Sequence, residues 1–365
     1  MAPDAGVRMA VCDECAVASG ERSWLLRFRR ALACDGTYYA VIAAYGAAAA
    51  IAATVLHKAY MLSVVGGYVS LYLQFTLIFG LILAGARLAW MLMRQRSGNP
   101  ALHLGTWLLA WASPQRVAGL VLFGALGVFM GAFTTAKSML AEVEPFWGDA
   151  VLANIDRTLA SGRDPWVWLQ GLMGRPPITA AVQVLYGPVW LLLTVAAPFL
   201  VCLRRHDDAL RRRFLIAFLL CWIVNGTLVA GLVMSGGPAF YGKVTGDEGR
   251  FAELIRYLAF DLHNPFSAVA EQQRLWTSYL NRDGHVGAGI SAFPSLHVSM
   301  VTLFALAGWK LHRGVGAVLA AFAVVIAFGS VHLGWHYALD GIFSVVSTVA
   351  FWGLASQARP RPPLS

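Results

Sequence analysis

The chain has 365 residues, 58% of them hydrophobic and only 13% charged, with a formal net charge of +9. Several stretches of about 20 apolar residues match the length that crosses a bilayer. Most of them lack the polar face that each helix of a soluble bundle would keep, so an ordinary soluble domain is excluded. The positive charges sit at the ends of apolar runs in alternate loops, not along one face with interleaved aromatics, which argues against a nucleic-acid partner.

Residues 1–36 are expected to form a polar cytoplasmic tail, with Arg22, Arg27, Arg29 and Arg30 near its end. Cys12-Asp13-Glu14-Cys15 has the spacing of a metal clip but no second pair, and reads as a reduced tail segment. The other cysteines, Cys34, Cys202 and Cys221, make the total five, and none falls in a long outer loop, so no disulfide framework is expected. Thr37 to His57 is too long for a cleaved leader and is read as a first span. Leu62 to Met93 exceeds one bilayer thickness, so it must tilt or project, and Arg87, Arg94 and Arg96 close it. Ala101 to Ala112 is apolar but short, is stopped by Pro114, and is placed in the interface.

Val117 to Ala136 is the third expected span, followed by a loop of mixed charge from Glu142 to Pro177. Within that loop Val151, Leu152, Ile155 and Leu159 recur at helical spacing, which predicts a short amphipathic helix on the membrane surface. Trp147, Trp166 and Trp168 beside it suit the headgroup zone. Ile178 to Val201 and Phe214 to Met234 are the next spans, with Asn225 in the second expected to hydrogen-bond a neighbouring helix. The long loop Ser235 to Phe293 opens on Ser235-Gly236-Gly237-Pro238, a tight turn that cannot continue a helix. Lys243, Arg250, Arg256, Arg274 and Arg282 in this loop are available to hold a phosphate, and Lys243 lies nearest the turn.

The last spans are Leu296 to Leu311, Val315 to Val331 and Tyr337 to Leu354. The fold class is therefore all-α, a polytopic membrane helix bundle of about eight transmembrane helices. Residues 37–115 supply two extra helices and an interfacial segment, 116–356 a six-helix catalytic core, and 357–365 a tail. Basic loops at Arg94–Arg116, Arg204–Arg213 and Lys310–Arg313, with Arg359 and Arg361, place both termini on the cytoplasmic side of a plasma or inner membrane. The loops at Glu142, Ser235 and His332 then share the outer face.

Two of those outer segments carry chemistry. Phe293-Pro294-Ser295-Leu296-His297 reads as a helix start, with Ser295 as N-cap and His297 in a first turn whose free N–H groups attract anions. His332-Leu333-Gly334-Trp335-His336-Tyr337-Ala338-Leu339-Asp340 follows one apolar helix later. Helical spacing would put His336 and Asp340 on one face, so that the carboxylate fixes the imidazole tautomer and leaves the other nitrogen nucleophilic. A general acid is available in His297.

These two segments resemble the second and third signature motifs of the type-2 phosphatidic acid phosphatase superfamily, over roughly Val117 to Val346. The resemblance implies that His336 attacks phosphorus, Asp340 orients it, and His297 protonates the leaving group. It also implies a lipid phosphate substrate and a phosphohistidine intermediate, with no metal and no cofactor. Two departures stand out. Gly329 and Ser330 occupy the place of the family's Ser-Arg pair, and the Lys-x6-Arg-Pro first motif is replaced by the stretch from Ser235 to Lys243. That pattern is more similar to the inositol phosphorylceramide synthase (inositolphosphotransferase) branch, which handles sphingolipid headgroups. Ser295, Lys243, Gly237 and Tyr241 are the residues expected to bind substrate. The same residues fit a membrane metalloenzyme built on a His332/His336/Asp340 ladder, and a third reading is a non-catalytic transporter with buried histidines.

Overall fold

The computed structural model describes residues 24–94, 100–206 and 208–357, and every regular element among them is a helix. Cys12, Cys15, Arg22, Arg96, Arg359 and Arg361 lie outside the described residues. Fifteen helices follow one another: α1 (Trp24–Cys34), α2 (Gly36–Val55), α3 (Ser63–Arg94), α4 (Pro100–Trp111), α5 (Pro114–Val143), α6 (Gly148–Leu159) and α7 (Pro165–Met173). Then come α8 (Pro176–Cys202), α9 (Ala209–Leu232), α10 (Tyr241–Thr245), α11 (Ala252–Leu258), α12 (Ala268–Asn281), α13 (Leu296–Leu311), α14 (Arg313–His332) and α15 (Ala338–Gln357). Seven are long and apolar enough to cross a membrane (α2, α3, α5, α8, α9, α14 and α15), and the protein is an integral membrane protein. The eighth expected span, α13, is apolar but only 16 residues long.

Helix α5 is the axis of the bundle. Small residues let its neighbours approach, as in other packed membrane helices. A Cβ on Gly119 would lie 2.2 Å from the Cys202 carbonyl oxygen, and one on Gly131 would lie 2.5 Å from Val65 Cα. Asn225 donates from Nδ2 to Ser299 Oγ at 3.1 Å and to Ser347 Oγ at 2.8 Å, tying α9 to α13 and α15 as its position inside an apolar run predicts.

Three expectations change. The presumed tail is helical from Trp24, and Asp35 beyond that helix is fully buried, where Arg211 donates two hydrogen bonds to it at 2.7 and 2.8 Å. His206 Nε2 adds a contact to the same carboxylate at 3.1 Å. A buried carboxylate needs such partners, so the N-terminal helices are pinned to the core. Helix α5 runs on to Val143 instead of ending at Ala136, because Lys137 and Ser138 continue a good helical sequence beyond the apolar stretch. The 235–293 loop contains α10, α11 and α12, which hydropathy alone does not reveal because their sequences are mixed, not apolar.

Helix α6 is amphipathic as predicted, with an unexpected orientation. Val151, Ile155 and Leu159 are exposed, while Asp149, Leu152, Ala153 and Asp156 face inward. On a soluble protein this would be inverted. At a bilayer surface the apolar stripe meets lipid, which frees the carboxylates to serve the loops beneath.

Candidate active site

Helix α14 stops at His332, and the chain turns through Gly334, whose φ of +74° lies in the left-handed region that favours glycine. The Ser330 carbonyl accepts from the N–H groups of Trp335 and His336 at 3.0 and 3.2 Å, which fixes where the next side chain starts. His336 is 6% exposed and Asp340 fully buried. Asp340 Oδ2 lies 3.2 Å from His336 Nδ1 and accepts from the Tyr337 N–H at 3.1 Å. Its Oδ1 has no partner among the described residues. Burial, reinforced by the charge of Lys137, pushes the His336 imidazole well below its usual value, against an opposing contact with the Ala292 carbonyl. The ring is therefore neutral at physiological pH, the form that can attack an electrophile.

His297 approaches from the other side. Ser295 caps α13 by accepting from the Val298 N–H at 3.3 Å, while the N–H groups of Leu296 and His297 have no intrahelical acceptor. The ring centroids of His297 and His336 are 6.3 Å apart.

Two carboxylates of α6 hold this geometry. Asp149 accepts from the Gly236 and Gly237 N–H groups at 2.7 and 2.8 Å and from the Tyr337 hydroxyl at 2.7 Å. Asp156, seven positions on, accepts from the Ala338 and Leu339 N–H groups at 2.6 and 2.9 Å, at the positive end of α15. Gly237 has φ +86°, and a Cβ there would lie 2.4 Å from the Trp335 carbonyl oxygen. Glycine is needed twice over at this position, by conformation and by space. Burial raises the Asp149 and Asp156 carboxyls above the usual range.

The expected substrate-binding residues are placed unevenly. Ser295 is fully buried beside the two histidines, and its N–H donates to the Asp340 carbonyl at 3.5 Å. Gly237 lines the loop, but its N–H is taken up by Asp149. Tyr241 is buried, with its hydroxyl accepting from Arg250 at 3.4 Å. Lys243 is exposed, its Nζ 4.8 Å from the Trp276 ring centroid, and none of its contacts reaches either histidine. Arg250 is spent on Asp164, Asn154 and the Ala153 carbonyl. The cation whose charge acts on both imidazoles is Lys137 of α5, which the sequence reading passed over. Its signal was there to find: a lysine just beyond an apolar run, at the end of the span that leads into the loop opening at Glu142.

His332 does not join His336 and Asp340. The helix breaks after it, and its Nε2 lies 2.9 Å from Thr179 Oγ1, which also meets the Tyr257 hydroxyl at 2.8 Å. Among the described residues no group of three or more His, Cys, Asp or Glu side chains is placed to hold a metal ion, so the ladder expected of a metalloenzyme is not formed.

The PAP2 superfamily model matches residues 150–354, which takes in α6 through most of α15 and so both histidine segments. No curated protein and no solved structure matches the chain.

Proposed function

The chain belongs to the PAP2 superfamily, with its phosphatase- and phosphotransferase-type chemistry on lipid phosphates, and from that premise we propose an inositolphosphotransferase-like enzyme working through a phosphohistidine. The observation that carries this reading is the pair of imidazoles 6.3 Å apart, one backed by a buried carboxylate and both within the field of one lysine.

With Nδ1 turned to Asp340, the Nε2 of His336 is the nucleophile. It forms a nitrogen–phosphorus bond as the ester bond to the departing oxygen breaks, and His297 supplies the proton that oxygen takes up. An alcohol or water then attacks phosphorus, gives its proton to the now neutral His297, and releases His336. Lys137 and the free first-turn N–H groups of α13 stabilise the charge on the phosphoryl oxygens, in place of the family's arginine. Ser295 sets that turn, and Lys243 guides anionic headgroups from the exposed rim. In this reading the residues of the site open on the extracytoplasmic headgroup level, which the distribution of basic loops supports.

Purified protein incubated with a panel of lipid phosphates, with and without inositol or another polyol, and resolved by thin-layer chromatography tests this directly. A new phospho-polyol is expected. Free phosphate alone would make the enzyme a phosphatase, and no change in any lipid phosphate would sink the reading.

A further inference from the structure

Helix α8 is not a regular helix beside the site. Residues Leu185–Val189 form a π-turn with Pro188 inside it. Proline lacks the N–H of a normal helical turn and its ring crowds the preceding carbonyl, so a wide turn is a natural response. Such turns recur at functional sites, and this one carries two rings that meet a candidate histidine. Tyr186 and Trp190 project toward α13 with the His297 imidazole between them. The Tyr186 ring is 4.1 Å from it at 8°, and the Trp190 ring 3.9 Å at 26°.

Both clamping rings are held firmly. Tyr186 is 4% exposed and Trp190 is 9% exposed. Trp190 donates from Nε1 to the His297 carbonyl at 3.2 Å, locking the first turn of α13 to α8. Tyr186 also lies parallel to Trp335, the residue before His336, at 6.4 Å and 8°. One tyrosine thus touches both segments that carry the reacting histidines, and its hydroxyl has no partner among the described residues.

We propose that Tyr186 and Trp190 are positioning residues that clamp the His297 ring in the plane from which it delivers its proton to the leaving oxygen. This rests on the phosphohistidine reading above. Two electron-rich faces also attract an imidazolium more than a neutral imidazole, so the clamp favours the proton-carrying state. The charged and titratable groups that face His297 are Lys137 from α5, His336 from the loop before α15, and Tyr186 itself, with Asp340 acting on Tyr186. Burial, His336 and Lys137 all oppose the protonated state, and the aromatic faces counter them in part.

The test compares two substrates whose need for an acid differs: dioctanoyl phosphatidic acid, with an alkoxide leaving group, and p-nitrophenyl phosphate, whose phenolate leaves without a proton. Full-length Tyr186→Leu, Trp190→Leu, Tyr186→Phe and Trp190→Phe proteins are assayed beside His297→Ala and His336→Ala. The ratio of rates on the two substrates does not depend on the fraction of protein that is folded. General acids contribute roughly 100-fold or more, so each leucine variant is expected to lose about 10–100-fold in kcat on the alkyl ester with KM little changed. It should lose less than about threefold on the aryl ester, and the basic limb of its pH profile should move to lower pH. Tyr186→Phe keeps the stack and loses only an unpartnered hydroxyl, so it should stay near wild type, whereas Trp190→Phe keeps a stacked ring but loses the hydrogen bond to the His297 carbonyl and should fall between wild type and Trp190→Leu. Equal losses on both substrates, or no loss on either, would overturn the clamp. If His336→Ala still turns over the aryl ester, the phosphohistidine reading itself fails. If His336→Ala is inert and only His297→Ala shows the leaving-group dependence, the clamp alone is wrong.

Discussion

Asp149 offers the sharpest test of how the site is assembled, because one carboxylate accepts three hydrogen bonds from two separate segments. Asp149→Ala orphans the Gly236 and Gly237 N–H groups and the Tyr337 hydroxyl together. Each buried group left unpaired costs about 1–3 kcal/mol, so the loss is about 3–6 kcal/mol once relief of the buried charge is allowed for. That relief is real, since burial already holds the Asp149 carboxyl above its usual range. Asp149→Asn keeps the shape but turns one acceptor into a donor. If the amide nitrogen replaces Oδ2, it faces the Gly236 N–H; if it replaces Oδ1, it faces the Gly237 N–H. Either way at least one backbone donor is stranded, at about 1–3 kcal/mol. Thermal inactivation in detergent, followed by activity and by loss of soluble monodisperse protein, should rank wild type above Asn and Asn above Ala. Alanine and asparagine variants indistinguishable from wild type would show that the Gly236-Gly237 turn and Tyr337 are held by something else.

Three further outcomes follow from the same geometry. Lys137→Met should lower kcat/KM on lipid phosphate by about 100-fold or more, the usual cost of removing one group that stabilises charge developing in the transition state. Since Lys137 helps to hold His336 below its usual value, and the attacking ring must be neutral, activity fails as pH falls through the value for His336. Removing the lysine raises that value, so the acidic limb of the kcat/KM profile should move to higher pH, and an unmoved limb would contradict the placement. His332→Ala removes a fully buried ring together with its contact to Thr179 and so lowers stability, but it should retain partial activity where His336→Ala retains none; equal loss would favour a metal ladder. Arg211→Ala leaves the buried Asp35 carboxylate with only its His206 contact, which should cost up to about 3–5 kcal/mol in the stability of the detergent-solubilised protein.

The spans were readable because apolar length is a strong signal, and His297, His336 and Asp340 stood out because histidines and a carboxylate at the mouths of apolar helices are conspicuous. Asn225 was legible for the same reason, as a lone amide in an apolar run. What escaped lay where hydropathy is silent. Lys137 sits on a helix that outlasts its apolar stretch by seven residues, from Ala136 to Val143. The loop lysine nearest the Gly-Gly-Pro turn was preferred to it on sequence distance, which says nothing about which helix passes beneath. Asp149 and Asp156 read as the solvated face of a surface helix, but in a bilayer the polar face can be the buried one. Tyr186-Gly187-Pro188 carried a hint of helix distortion, but the stacking of Tyr186 and Trp190 on His297 becomes visible only when α13 is set against α8.

The central claim is a covalent bond between phosphorus and His336, and it can be measured directly. Protein mixed with lipid phosphate bearing radioactive phosphorus, then rapidly quenched in alkali, should carry a label that acid removes and alkali spares, as expected of phosphohistidine. Peptide mapping should place it on His336, and His336→Ala protein should carry none. Label that persists in His336→Ala, or that maps to another residue, would contradict the account.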